Sequence, residues 1–239
     1  MNDLNIGFYE NLDTNFEQAL EMSEKEFSHS ELIEMLRVGN IPQKQIAALK
    51  LDMVEGAEDA KVLISNLTGC DGKIREAVAL KINKLLFQNG ELYSLFLFPE
   101  IFAAASIDIN ANICRLVIDS VSILKKDEGF KNLYLSKMMS YIQESFDELD
   151  KFIFRDKKYV INKQLFKLYW CLEALKLFKD TLSEKELYPI LERTSLEREY
   201  TIREKSAQIV ADLSSKKYDL IKDRLKSDEN YYVRKALEN

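Results

Sequence analysis

At 239 residues, 46% hydrophobic and 31% charged, the chain has the balance of a globular protein and not of a disordered one. Seven glycines and three prolines leave few places for hairpins and favour long helices joined by short loops. The net charge of −6, split as −9 over residues 1–60 and +3 over the remainder, argues against a dedicated nucleic-acid binder, for which a basic balance is expected.

In chain order, residues 1–11 read as a loose acidic leader without the basic start of a signal peptide. Phe16, Ala19, Leu20 and Phe27 have helical spacing and predict a helix over Leu12–Phe27. Ser28 or Ser30 can cap a short helix through Leu36, and Gly39-Asn40 ends it. Ile41–Val54 follows, with Pro42 tolerated in the first turn. A short helix over Ala57–Leu67 stops near Gly69, and the next runs over Asp71–Gln88, with Gly90 placed as its terminating glycine. The apolar stretch Leu92–Ala105 should be split by Pro99 and, with Glu100 inside it, is no membrane span. Helices are then expected over Asp108–Lys126, Phe130–Phe146, Tyr159–Phe178, Ser183–Arg193, Glu199–Leu213, Tyr218–Leu225 and Tyr231–Leu237. Ser183 and Glu186 form a capping box for the fourth of these. No period-2 stretch appears, so the chain is expected to be all-α.

Three segments share one shape. DGKIREAVALKINKLL (71–86), EYTIREKSAQIVADL (199–213) and NYYVRKALE (230–238) each have a turn, an Ile/Val-Arg pair, a small residue and an apolar stripe. Aligned on Ile41, Ile74, Ile113, Ile161, Ile202 and Val233, the second helices of successive pairs recur at 33, 39, 48, 41 and 31 residues. The stripe Ala79, Ile82, Leu85 matches Ile118, Val121, Leu124, then Phe166, Tyr169, Leu172, then Ala207, Val210, Leu213. Cys114 and Asn162 stand at the arginine position in the third and fourth pairs. Arg75 and Arg203 lie four residues after Asp71 and Glu199, a spacing that suits a structural tie of turn to helix or repeat to repeat.

These residues resemble HEAT repeats, one of the armadillo-like α-solenoid families, over most of Ile41–Asn239. The resemblance implies an α-α superhelix of about five to six antiparallel helix pairs that binds other macromolecules. It implies a single domain over 1–239, with 1–40 as an acidic helical cap and 41–239 as repeats. Stacked pairs share a core that no single pair could bury alone.

In such a solenoid the second helices line the concave side. Stepping 100° per residue away from the stripe gives the expected solvent arc. It holds Glu76, Leu80, Asn83 and Phe87, then Arg115, Asp119, Ser122 and Lys126, then Lys163, Lys167, Trp170 and Ala174, then Glu204, Gln208, Ala211 and Ser215. Gln43, Ala47, Lys50 and Val54 form the arc of the first pair. Leu80 and Phe87 are apolar where solvent is expected. The sole tryptophan, Trp170, falls among Arg115, Lys126, Lys163 and Lys167 as a candidate site for an acidic peptide or a phosphate backbone. The spacing leaves open whether Trp170 lies in the groove or the core.

The leading expectation is a non-enzymatic scaffold for a protein or peptide, without cofactor or metal. The alternative is nucleic-acid binding, including the alkylated-base DNA glycosylase type known among HEAT-like proteins, with Trp170 and Glu173 as its candidates. Nothing marks a solenoid chromophore lyase or a carboxylate hydrolase. His29, the only histidine, has no sequence partners for a zinc site or a triad. Cys70, Cys114 and Cys171, with no CxxC, read as reduced thiols of a cytoplasmic protein.

Overall fold

A computed structural model describes residues 6–69, 71–151 and 158–238, with side chains from 14 onward and, after the second gap, from 161. Cys70 lies outside the described residues. The helices are α1 (Ile6–Ser23), α2 (His29–Val38), α3 (Ile41–Lys50), α4 (Ala57–Ser65), α5 (Gly72–Gln88), α6 (Pro99–Ala105), α7 (Ala111–Leu124), α8 (Glu128–Asp150), α9 (Lys158–Lys176), α10 (Glu184–Thr194), α11 (Tyr200–Ala211), α12 (Asp219–Lys226) and α13 (Tyr231–Lys235). Two 3-10 segments, Gly90–Phe96 and Lys216–Tyr218, complete the set, and no strand occurs among the described residues. The fold is all-α, a repeat solenoid built from neighbouring helix pairs.

Helix starts follow local chemistry. Ser28 with Glu31, Asn40 with Gln43 and Ser183 with Glu186 are capping boxes, each satisfying backbone donors that the first turn leaves without partners. Asp71 accepts from the backbone N–H of Lys73 and Ile74 and starts α5. The preceding turn needs Gly69, whose φ of 133° is closed to L side chains.

Three expectations are corrected. α1 begins at Ile6, so the leader is helical from there. α3 ends at Lys50 rather than Val54, because the chain turns extended at Leu51, which is fully buried, and Val54 is also buried. Gly90 does not terminate α5 in a left-handed conformation. Asn89 caps the end, and its side chain accepts from the Glu91 N–H to start the 3-10 segment. Pro99 splits its region as expected, opening α6.

The chain divides into two compact units, residues 1–132 and 133–239. In the first, α3, α5 and α7 pack side by side as successive second helices, with α2, α4 and α6 beside them. They run in the same direction: Glu76 near the start of α5 accepts from Asn112 near the start of α7, and Asn83 further on donates to the Leu116 carbonyl. Leu36, Leu63, Leu86, Phe96 and Phe102 fill the core, with Phe130 edge-on to Phe102 at 5.7 Å. In the second unit α9, α11 and α13 form the equivalent row, with α10 and α12 against α11. Leu168, Leu172, Leu191, Ile209 and Ile221 are fully buried there.

One device recurs in both units. Arg75 donates from Nε and Nη2 to both oxygens of Asp108 (2.7 and 3.2 Å), and Nη1 donates to the Gly69 carbonyl. Arg203 does the same to Asp228 (2.6 and 3.0 Å), with Nη1 on the Glu197 and Arg198 carbonyls. The arginine therefore ties its own turn to the next repeat, as expected, but the acid is not the one four residues earlier. It is the first residue of an Asp-x-Asn turn, Asp108-Ile109-Asn110 and Asp228-Glu229-Asn230, where the aspartate also accepts from the asparagine N–H at 2.8 Å. In the pairs led by Ile74, Ile113, Ile202 and Val233 the carbonyl six residues back is satisfied from this position, whereas in the first pair Pro42 stands there and the Leu36 carbonyl accepts from Asn66. Arg234 donates to Asp228 O, and Cys114 donates through Sγ to Asp108 O at 3.0 Å. Cys114 thus stands in for the turn half of the arginine. Burial and the nearby Asp108 carboxylate push its thiol up to about 12, so it stays protonated. Cys114 and Cys171 are reduced and buried.

The side chains of Asp108 and Arg75 are about one-tenth exposed, so removing the acid strands a covered guanidinium. Asp108→Ala is expected to cost about 3 kcal/mol in urea unfolding. Burial raises the Asp228 pKa, but Arg203 and the Asn230 N–H outweigh it and hold the carboxyl below its usual value. Its contribution is complete above the ordinary aspartate pKa and lost as pH falls through the lowered one. Unfolding midpoints measured from neutral to strongly acid pH should show that part of the acid limb vanish in Asp228→Asn.

Candidate functional site

The inner row of the first unit carries the expected solvent arc. Leu80 and Phe87, two turns apart on α5, are 46% and 60% exposed. Arg115 on α7 and Lys126 in the turn after it are exposed as well. The polar members of the arc are mostly engaged in packing α5 to α7. Glu76 accepts from Asn110 and Asn112, Asn83 donates to Leu116 O, and Arg115 donates to Asn112 at 3.2 Å. The first-pair arc fails at Ala47 and Val54, both buried, because α3 is shorter than expected and turned differently.

On the inner row of the second unit the outcome differs. Trp170 is 6% exposed and belongs to the core side of α9, edge-on to Tyr169 at 5.2 Å and to Phe166 at 6.1 Å. The buried stripe of α9 is Leu165, Leu168, Leu172 and Leu175, one residue out of phase with the expected Phe166 and Tyr169. That shift turns Trp170 and Ala174 inward and Phe166 outward. The indole N–H of Trp170 and Oε1 of Gln164 are buried without a hydrogen-bond partner. Lys167 reaches Glu144 on α8 at 2.7 Å and lies over the Tyr141 ring, so it ties two helices together. Lys163 is exposed. Glu173 is bound to Lys205, which also sits over the Tyr169 ring at 4.7 Å. Trp170 and Glu173 therefore do not form an open base-binding pair.

Sequence reading missed two covered lysines, Lys81 (4% exposed) and Lys205 (9%). The signal was present: each interrupts an apolar stripe, Val78-Lys81-Leu85 and Ile202-Lys205-Ile209. It also missed the surroundings of His29, whose Nε2 hydrogen-bonds Asp59 at 2.8 Å and links α2 to α4. Burial raises the Asp59 pKa, but the Glu55 N–H and His29 outweigh it and lower it overall. His29, Glu55 and Asp59 have ligand atoms within 4.8 Å of one another and are the described donors able to hold a cation together. An ion there would have to replace the His29–Asp59 hydrogen bond.

Two hollows in the first unit, of about 350 and 450 Å³, lie at helix ends and are lined by capping residues such as Glu31, Gln43 and Asp71. Neither includes Leu80 or Phe87. No described helix is long and apolar enough to cross a membrane.

No family model and no curated protein matches the chain. Among solved structures it is similar to an engineered protein at 11% identity, with 89% of this chain and 94% of that one covered and a TM-score of 0.49. It is also similar to a designed armadillo repeat protein at 12% identity, with 88% and 99% covered and a TM-score of 0.45. The repeat-solenoid class stands on the chain's own helix pairing, and neither likeness carries a ligand over to it.

The placement of Trp170 has a direct optical readout, since it is the only tryptophan. Its emission is expected to be blue-shifted and poorly quenched by iodide in the folded protein. It should become red-shifted and readily quenched in denaturant.

Proposed function

We propose that the chain is a non-enzymatic scaffold of the HEAT-like kind, a single array over residues 1–239, that holds a protein or peptide segment along its second-helix face. The carrying observation is the Leu80–Phe87 pair. Two large apolar side chains stand open on one face of α5, and the neighbouring α7 and the turn after it carry the exposed cations Arg115 and Lys126. Apolar anchors with a polar rim are the usual makings of a peptide groove. The unit bearing them is acidic overall through residues 1–60, which disfavours a phosphate backbone as the occupant. Buried reduced thiols at Cys114 and Cys171 suit a reducing compartment, and the proposal places the protein in the cytoplasm.

The test is selection of a displayed library of random short peptides on the full chain, followed by affinity measurement on variants. Leu80→Ser with Phe87→Ser is expected to weaken selected peptides at least about tenfold. The unfolding midpoint should move little, because open surface sites typically change stability by only about 0.5 kcal/mol. Peptides that bind the double variant unchanged would sink the reading. So would tight binding of single-stranded DNA that collapses steeply with salt, with no peptide selected.

A further inference from the structure

Helix α2 has two stripes. Leu32, Ile33 and Leu36 are buried in the core, and Glu31, Glu34, Met35 and Val38 follow one another at i, i+3, i+4 and i+7 on the opposite side. This second stripe walls a hollow of about 350 Å³, completed by Phe27 before α2, Gly39 after it and Gln43 in the first turn of α3. The backbone packs tightly at Gly39, where a Cβ would stand 2.4 Å from the Met35 carbonyl oxygen. Phe27, Met35 and Val38 make the lining largely apolar, and Val38 is nonetheless 71% exposed. Both acids of the lining are open to a ligand. The Ser28 hydroxyl and then its N–H hold the Glu31 carboxyl below its usual value, so it stays ionised. Both of those bonds end on Oε2, which leaves Oε1 for another donor. Glu34 meets Arg37 at 3.6 Å, with both side chains more than half exposed, and such a contact is worth little in water.

We propose that this hollow is a recognition site for an arginine side chain of a cationic peptide segment, separate from the Leu80–Phe87 face and independent of it. Charge complementarity selects the occupant. Residues 1–60 hold thirteen Asp and Glu against four Lys and Arg, a net of −9, so the field around the hollow draws cations in. A purely apolar ligand would strip water from Glu31 and Glu34 and return nothing, and an anion would meet like charge. An arginine satisfies both parts of the lining. Its aliphatic stem covers Met35 and Val38, and its planar guanidinium lies against the Phe27 ring. The same fork donates to Glu31 Oε1 and to Glu34, carboxylates one turn apart on α2. An apolar residue beside the arginine in the peptide covers what remains exposed of Val38. Arg37 gives up only a long surface contact when the incoming guanidinium takes Glu34.

The experiment uses the full chain and two fluorescent peptides, one alternating Arg with Leu and Val and one with neutral citrulline at every Arg. Wild type is expected to prefer the Arg peptide at least about tenfold. Glu31→Gln with Glu34→Gln should reduce that preference to about twofold or less. Gln at position 31 still completes the capping box with Ser28, so the unfolding midpoint should stay near that of wild type. Val38→Ser should weaken the Arg peptide at least about threefold. Glu17→Gln with Glu58→Gln removes the same charge from exposed positions outside the hollow and should keep most of the preference. Leu80→Ser with Phe87→Ser should keep it too, which separates this site from the α5 face. An unchanged Arg-to-citrulline ratio in the Glu31 and Glu34 variant overturns the proposal. An equal loss in the Glu17 and Glu58 variant overturns it as well, since diffuse charge alone would then account for binding. Loss of the preference in the Leu80 and Phe87 variant, or no binding of the Arg peptide to wild type, has the same consequence.

Discussion

The array depends on how the turn inside each helix pair satisfies its own polar groups. A turn between stacked helices leaves backbone carbonyls pointing at protein rather than water, and these must find donors. Arginine at the second position of the Ile/Val-Arg pair supplies them and has a second edge to spare. Its planar fork can grip turn carbonyls and a carboxylate at once, which a lysine could not do with the same geometry. Arg75 and Arg203 use both edges. Cys114 uses its single weak donor for the carbonyl alone. The substitution is intelligible once the carbonyl, and not the salt bridge, is taken as the constant requirement.

The two inner rows treat their charges differently. In the second unit Lys163 is exposed, but three other cations are spent on structure. Lys167 goes to Glu144, Lys205 to Glu173 and Lys179 to Asp212, and aromatic rings lie beneath two of them. In the first unit the α5–α7 seam is closed mainly by amide side chains, Asn83, Asn110 and Asn112. Basic side chains there are left to face outward beside Leu80 and Phe87. The same helical frame thus yields one row joined largely by ion pairs, with Lys163 and Phe166 still exposed, and one row joined by amides, with Leu80, Phe87 and Arg115 exposed.

Much of this was legible in the amino-acid order. Capping residues such as Ser28, Asn40 and Asp71 declare helix starts because a first-turn donor needs a short side-chain acceptor. The stripes Ala79-Ile82-Leu85 and Ile118-Val121-Leu124 gave the buried faces of α5 and α7 correctly. The phase of α9 was harder to read because leucines and aromatics occupy adjacent positions from Leu165 to Trp170. Two neighbouring stripes then have nearly equal hydrophobicity, and tertiary packing chooses between them. The partner of Arg75 was hidden for another reason. A carboxylate four residues away is an easy candidate on a helix, whereas Asp108 is 33 residues on and is brought close only by stacking.

The Arg–Asp tie also bears on how such a chain can lengthen. Each arginine and its aspartate belong to different repeats, 33 and 25 residues apart. A copied segment that starts in one Asp-x-Asn turn and stops before the next carries an acid for the repeat behind it and an arginine for the repeat ahead. Tandem duplication in that frame leaves no charge stranded at the new junction. The Asp-x-Asn turn lies between the two helices of a pair, so a splice placed there interrupts no helix in building longer or shorter versions of this array.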